Sequence, residues 1–383
     1  MPFTLPTGGF GTCTSPTGIF DTLVRNTGGT YTLTKKDQTV YQFNSSGYCT
    51  SISDPNGNAQ SLTYNTGNYV TKVTDATGRY FNVNYNSSNL ITSFADFTGR
   101  TWTITIPTAS YNLTEVAYPT VGSTTYNDQF TYGTGSVIST HIDKNGNTWS
   151  FTYNSGGVLA SETDPLSHTN SYTYTSSTTT KTDALSHTST DNYSSGLLAS
   201  HVDEASYSDA RVYDASNNLK QYTDNRGKVW NYTFDSMGNK LTAEDPNSNT
   251  TTYTYNSFNE VLTAKDPLTH TTTNTYDSHA NLLTSSDPLS HTKTNTYGTY
   301  GLLATSETSL SNTTAYGYDT NGNLNSVIDP LSNVTSMVYD SLGRLTSKTD
   351  PLSHTESVAY DVLDRPITFT HADSILSPKL TTG

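Results

Sequence analysis

The chain has 383 residues, of which 32% are apolar, with a formal net charge of −14 and only 19 Lys plus Arg. That length admits two or three ordinary domains, but the apolar fraction is too low for a Leu-rich core, while 28 Tyr and 12 Phe argue against disorder. A pI near 4.8 excludes nucleic acid and anionic membrane as partners, since both demand a basic face, and no run of 18 apolar residues offers a membrane span.

Residues 1–30 read as an N-terminal segment. Its opening, MPFTLPTGGF, has neither the charged start nor the apolar run of a secretory signal peptide. Cys13 and Cys49 are the two cysteines, too few for a zinc site at readable spacing; a disulfide tying down this segment and a pair of buried thiols are both open.

Residues 31–371 read as one tandem array. The hexapeptide DPLSHT stands at 164–169, 287–292 and 350–355. Aligned on its first residue, an anchor recurs at Asp54, Asp75, Asp96, Asp143, Asp164, Asp183, Asp203, Asp224, Asp245, Asp266, Asp287, Thr308, Asp329 and Asp350, mostly 21 residues apart. Ten residues on stands Tyr64, Tyr85, Tyr153, Tyr174, Tyr193, Tyr213, Tyr255, Tyr276, Tyr297, Tyr318, Tyr339 or Tyr360, with Ile106 and Phe234 the exceptions. Five residues before the anchor an aliphatic is usual, as at Val70, Leu159, Val261, Leu282, Leu324 and Leu345. Three marked positions held in one register signal a repeat architecture.

Each unit predicts two strands and two corners. Period-two alternation after the anchor, as over 292–297, is a strand signal. A tight turn follows at Tyr-Asp-x-x-Gly-x-Leu, where Gly accepts positive φ, and a second strand runs back to Asp-Pro, whose Pro belongs at a corner because it cannot donate to a ladder. The fold class is therefore all-β: about fifteen hairpin units forming a long spiralling or solenoid-like sheet, with Tyr expected to stack on Tyr and Leu on Leu along it. The unit near 107–135 is irregular: with Tyr118-Pro119 as a degenerate anchor, Leu113 takes the aliphatic slot and the extra residues fall between Pro119 and Tyr132. Residues 372–383 read as a C-terminal end that is truncated or links onward.

The strings YDSLGRLTSKTDPLSHT, YDTNGNLNSVIDPLSN and YNSFNEVLTAKDPLTHT resemble the YD or Rhs repeat, over roughly residues 30–371. The family comprises bacterial polymorphic toxins, toxin-complex shells, wall-associated proteins and teneurins. The resemblance implies a spiralling β-sheet that often closes into a hollow shell around a C-terminal toxin. This chain departs from the pattern where Ser290 and Thr269 replace the Gly after Asp-Pro-x, and the family's self-cleaving core segment and toxin are not found in it. About fifteen units are expected to be too few for a full cocoon, which leaves a piece of a larger shell or an array that assembles between chains.

His168, His187, His270, His291 and His354 share one register and read as turn residues, not a metal ladder; no catalytic residue, metal or cofactor is expected. The anchors Asp164, Asp245, Asp266, Asp287, Asp329 and Asp350 read as corner caps. Candidate glycosylation sequons stand at Asn44, Asn86, Asn112, Asn192, Asn231, Asn249, Asn312 and Asn333. The resulting expectation is a non-enzymatic structural protein, secreted or at a cell surface, whose partner is itself, head-to-tail or edge-to-edge. The alternatives are the shell portion of a toxin, partnered by the rest of a larger chain, and a glycan-binding adhesive surface.

Overall fold

A computed structural model describes residues 3–371; the C-terminal end expected at 372–383 lies outside them. Among the described residues there are 35 strands and a single 3₁₀ turn, Thr299–Gly301. Consecutive strands pair antiparallel in chain order, first as a 19-stranded sheet and then as a 16-stranded one. The break falls at residues 203–209, where Asp209 accepts the His201 N–H on its carboxylate at 2.9 Å. Tyr213 bridges the break by donating its hydroxyl to the Leu198 carbonyl at 3.0 Å, so the ribbon continues across it.

The corners come in two kinds that alternate along the ribbon. Anchor corners, such as 350–354, and tyrosine corners, such as 340–344, close in the same way: the first residue's N–H reaches the fifth residue's carbonyl, and the fourth N–H returns to the first carbonyl. This places the fourth residue at positive φ. At anchor corners of the DPLSHT type that residue is Ser, as at Ser290 and Ser353, or even β-branched Thr269 at φ 73°, a conformation that costs an L-residue roughly 1–2 kcal/mol.

The two kinds of corner differ in register. Strands meeting at an anchor corner pair without a shift, as Ser53 opposite Ala59 and Ile52 opposite Gln60. Most tyrosine corners carry a one-residue shift at the tyrosine itself: Thr63 faces Lys72, but Tyr64 faces Val70. A bulge bends its strand and adds right-handed twist, so a bulge repeated once per unit along one side coils the ribbon. The unit with anchor Asp164 shows the converse. It is two residues short, its corner at 175–178 is tight, and Tyr174 faces Thr179 without a shift.

The marked tyrosines do not stack on one another; the tyrosine pairs between adjacent units, Tyr48 with Tyr64 and Tyr69 with Tyr85, join a corner-end tyrosine to a marked one, with ring centres 5.6 and 5.4 Å apart. The marked Tyr recurs on every second strand, roughly 10 Å from its copy at ~4.8 Å per strand, and an aliphatic occupies the strand between. Tyr255 faces Val261 and Tyr276 faces Leu282; Tyr297, Tyr339 and Tyr360 face Leu303, Leu345 and Pro366. The ladder therefore alternates aromatic and aliphatic. It is also thin: Cys13 alone is a buried hydrophobic residue among those described.

The disulfide between Cys13 and Cys49 is not formed; both thiols are free, and Cys13 is the buried one. Cys13 donates its N–H to Leu23 while Cys49 faces Phe43, with the strands Thr22–Arg25, Tyr31–Thr34 and Val40–Phe43 between them. Several strand spacings of ~4.8 Å exceed the ~7 Å Cα limit of a disulfide. In the irregular unit the corner between Glu115–Ala117 and Asn127–Tyr132 spans residues 118–126 and is pinched by a bridge between Val121 and Thr124.

Candidate functional site

The structure gathers its polar chemistry at corners. At Asp350, one carboxylate oxygen accepts the N–H groups of Leu352 and His354, each at 2.8 Å, and the other meets His354 Nδ1 at 2.9 Å. Asp287 holds Leu289 and His291 in the same way, and Asp164 holds Leu166 and His168. His187 and His270 each meet their own Asp183 and Asp266. Asp245 and Asp329 take the side-chain amides of Asn249 and Asn333, at 2.9 and 2.8 Å. Each anchor thus caps its own corner, and neighbouring histidines stand on separate corners. These hydrogen bonds set the carboxylates below the usual range: at Asp287 the His291 side chain is the largest cause and its N–H the next, against a smaller opposing burial.

Most of the marked tyrosines have a second task that alternation alone does not reveal. Tyr85 donates its hydroxyl to the Val70 carbonyl, fifteen residues back, at 2.8 Å. Tyr64, Tyr255, Tyr276, Tyr297, Tyr318 and Tyr360 do the same to Cys49, Lys240, Val261, Leu282, Leu303 and Leu345. The acceptor is the residue in the aliphatic slot, five before the anchor. In the irregular unit Tyr132 still reaches Leu113, at 2.7 Å. Tyr339 instead lies 3.9 Å from the Met337 sulfur, and Tyr153 pairs with Leu159 at its bulge.

The sequon asparagines divide by position. Asn44 and Asn86 cap tyrosine corners with their side-chain oxygens. Asn112 reaches Ser136, while Asn192 and Asn231 lie in strands and donate to Ser200 and Glu244. Asn249, Asn312 and Asn333 are exposed.

The one extended constellation is a seam between distant parts of the ribbon. Lys36 donates its ammonium to the Gly238 carbonyl at 2.7 Å, across 202 residues, and Asn259 returns a bond to the Lys36 carbonyl at 3.1 Å. Asn56 and Asn281 exchange two amide bonds across 225 residues, at 3.2 and 2.8 Å. Asn58 reaches the Tyr300 carbonyl across 242 residues. Arg100, held by Asp96 at 2.7 Å, extends across 264 residues to Asp364 at 2.8 Å, and Arg344 meets the same Asp364 oxygen at 2.9 Å. The Arg365 guanidinium lies over the Tyr126 ring, 5.0 Å from its centre.

These contacts share one sense. Residues 36, 56, 58 and 100 stand on anchor corners of the early ribbon; residues 238, 259, 281, 300 and 364 stand on tyrosine corners of the late ribbon. The ribbon winds round, and the anchor rim of its first winding rests on the tyrosine rim of its second. Close approach is visible at Gly238, where a Cβ would lie 2.5 Å from the Phe20 ring, and at Gly301, where it would lie 2.3 Å from the Asn56 side chain. Asp96 is 3% exposed. Burial pushes its carboxyl up, but hydrogen bonds from Thr98 and Arg100 outweigh that and hold it below the usual range. Beside it a cleft of about 290 Å³ is lined by Asp75, Arg79, Phe81 and Leu342. Among the described residues no group of three or more His, Cys, Asp or Glu side chains converges, and no helix is long and apolar enough to cross a membrane.

An open all-β ribbon of tandem hairpins that winds on itself defines a shell-type repeat protein. The family described as Teneurin YD-shell matches residues 198–371, the later part of the repeat array. No curated protein matches the sequence. Among solved structures, a crystal structure of TcdB2-TccC3-Cdc42 is similar over 97% of this chain, with a TM-score of 0.54 at 12% identity. A crystal structure of TcdB2-TccC3 without its hypervariable C-terminal region is similar over 91%, with a TM-score of 0.55 at 12% identity. These likenesses concern the fold; in both cases the chain spans 24% of the solved chain's length.

Proposed function

We propose that the chain is a non-enzymatic structural wall, a β-ribbon that winds into a hollow segment of an extracellular shell or fibre. The observation that carries this reading is the seam. Corner-to-corner contacts spaced 202 to 264 residues apart hold one winding on the next, and they turn a flat ribbon into a surface with an inside. Twenty-one strands separate the corner of Asn56 from that of Asn281, so at ~4.8 Å per strand one winding measures roughly 100 Å round and about 32 Å across. Electron microscopy of the purified chain tests the reading: a short hollow cylinder is expected, and a flat, unwound ribbon contradicts it.

A second reading, the wall portion of a larger shell that encloses a toxin, draws on the chain aligning over 97% of its length with only 24% of a much longer solved chain. In that case further windings of the same polypeptide would continue the cylinder.

A further inference from the structure

Winding consumes one anchor rim and one tyrosine rim, and leaves one of each uncovered. Part of each uncovered rim is built differently from the seamed ones. On seamed anchor corners the third residue is polar, Asn56, Thr77 or Thr98, and the fifth is Asn58, Arg79 or Arg100. On five consecutive anchor corners of the late ribbon the third residue is Leu268, Leu289, Leu310, Leu331 and Leu352, exposed by 74%, 77%, 79%, 83% and 76%. Neighbouring corners on one rim are two strands apart, so these leucines form a row about 38 Å long at ~4.8 Å per strand. A regular row of exposed apolar tips on a protein with a single buried hydrophobic residue among those described marks a contact surface.

The tyrosine rims mirror this difference. Most seamed tyrosine corners end on polar residues, such as Asn218, Asn239, Asn281, Asn323 and Arg344, with Leu302 an exception, and most begin on Asp, as at Asp214, Asp277 and Asp340. Five of the uncovered tyrosine corners of the first winding end on Tyr48, Tyr69, Leu90, Val137 and Val158 and begin on Asn44, Asn65, Asn86, Gly133 and Asn154, while the corner of Asn26 ends on Thr30. Tyr48, Tyr69 and Val158 are exposed. These five late anchor corners thus carry Leu where seamed ones carry Asn56, Thr77 or Thr98 and His or Asn where seamed ones carry Asn58, Arg79 or Arg100, and these uncovered tyrosine corners begin on Asn or Gly where most seamed ones begin on Asp.

We infer that the leucine row is the docking surface for a second copy of this chain, which seats its uncovered tyrosine rim there and continues the seam geometry from one molecule to the next. The inference rests on the wound-wall reading and names its partner. The seam fixes which kind of rim meets which. Its polar pairs are found within the chain, and its apolar pairs are divided between the two ends, which suits association between chains. Such head-to-tail contacts do not close, so copies add as successive windings of one filament.

Sedimentation velocity on the full chain over a concentration series tests this. Wild-type protein is expected to form oligomers that grow with concentration. The double variant Leu289→Asp/Leu331→Asp, both at exposed corner tips, is expected to weaken association roughly a hundred-fold or more in Kd, with an unchanged circular dichroism spectrum. Tyr69→Asp/Val158→Asp, altering the opposite rim, is expected to do the same. Mixing the two variants, each with one intact rim, is expected to give discrete dimers that grow no further. A wild type that stays monomeric throughout overturns the proposal, as do variants that assemble like wild type or a mixture that gives no dimer. Hollow monomeric cylinders in electron micrographs would then leave the wall reading standing, whereas unwound ribbons would remove both.

Discussion

At the scale of single residues, the repeat is fastened by hydrogen bonds more than by burial. The Tyr85 hydroxyl on the Val70 carbonyl ties a tyrosine corner to the aliphatic slot of the same unit, and a neutral bond of this kind contributes about 1 kcal/mol net. Tyr85→Phe is therefore expected to destabilise by about 1 kcal/mol, read as a lower guanidinium midpoint at unchanged m-value; no shift would show the phenol to be ornamental. Thr269 offers the opposite sign. It holds φ 73° on a β-branched residue, so Thr269→Gly is expected to stabilise, by up to about 1 kcal/mol once the entropy of the unfolded glycine is discounted. A drop in the midpoint would contradict the strain assigned to that corner. The anchors, the marked tyrosines and the corner role of His291 or His354 are legible in the sequence, because each recurs in register and needs only local geometry. The phenol's acceptor is not legible, because a carbonyl has no sequence identity.

At the scale of elements, alternate corners have different tasks. Tyrosine corners carry the bulge and bend the ribbon; anchor corners keep register. The seam then joins the two kinds across one winding, and Arg100 is its most demanding member, since it compensates the buried Asp96 and reaches Asp364. Arg100→Gln leaves that carboxylate without its cation and is expected to cost about 3 kcal/mol, with amide exchange accelerated over 96–100 and 361–365 and little changed at remote corners. Uniform acceleration along the chain would contradict a local seam. Gly238→Val is expected to open the same boundary at Phe20, since the added atoms meet the ring and the residue sits at φ +68°. The seam was not legible beforehand. Asn56 and Asn281 are ordinary corner residues in an Asn-rich chain, and nothing short of the ribbon's curvature says that they meet. Curvature in turn comes from a one-residue bulge per unit, accumulated over some twenty strands. The expected stacking of marked tyrosines on one another failed for a related reason: the repeat is two strands wide, so equivalent repeat positions do not lie on adjacent strands, and Tyr64 and Tyr85 meet the corner-end Tyr48 and Tyr69 instead.

At the scale of the whole molecule, stability is a sum over corners, and acid should remove it in concert. Carboxylates such as Asp75, Asp96, Asp235, Asp277, Asp319 and Asp340 are held below their usual range: burial opposes this in each, and the hydrogen bonds they accept outweigh it. A carboxyl depressed on folding contributes stability that is fully present above the unfolded value, near 3.9, and is lost as pH falls through the folded one. The wound ribbon is therefore expected to hold at neutral pH and to lose strand signal steeply below about pH 4, followed by far-ultraviolet circular dichroism; a pH-independent spectrum down to pH 2 would remove the corner caps from the account. The central claim is that distant corners meet because the ribbon winds on itself, and cysteine cross-linking across the seam tests it most directly. With Cys13 and Cys49 replaced by Ser, Asn56→Cys/Asn281→Cys is expected to form an intramolecular disulfide in dilute, mildly oxidising solution, seen as faster migration on a non-reducing gel. Two thiols that stay free, or that link only between chains, would contradict it.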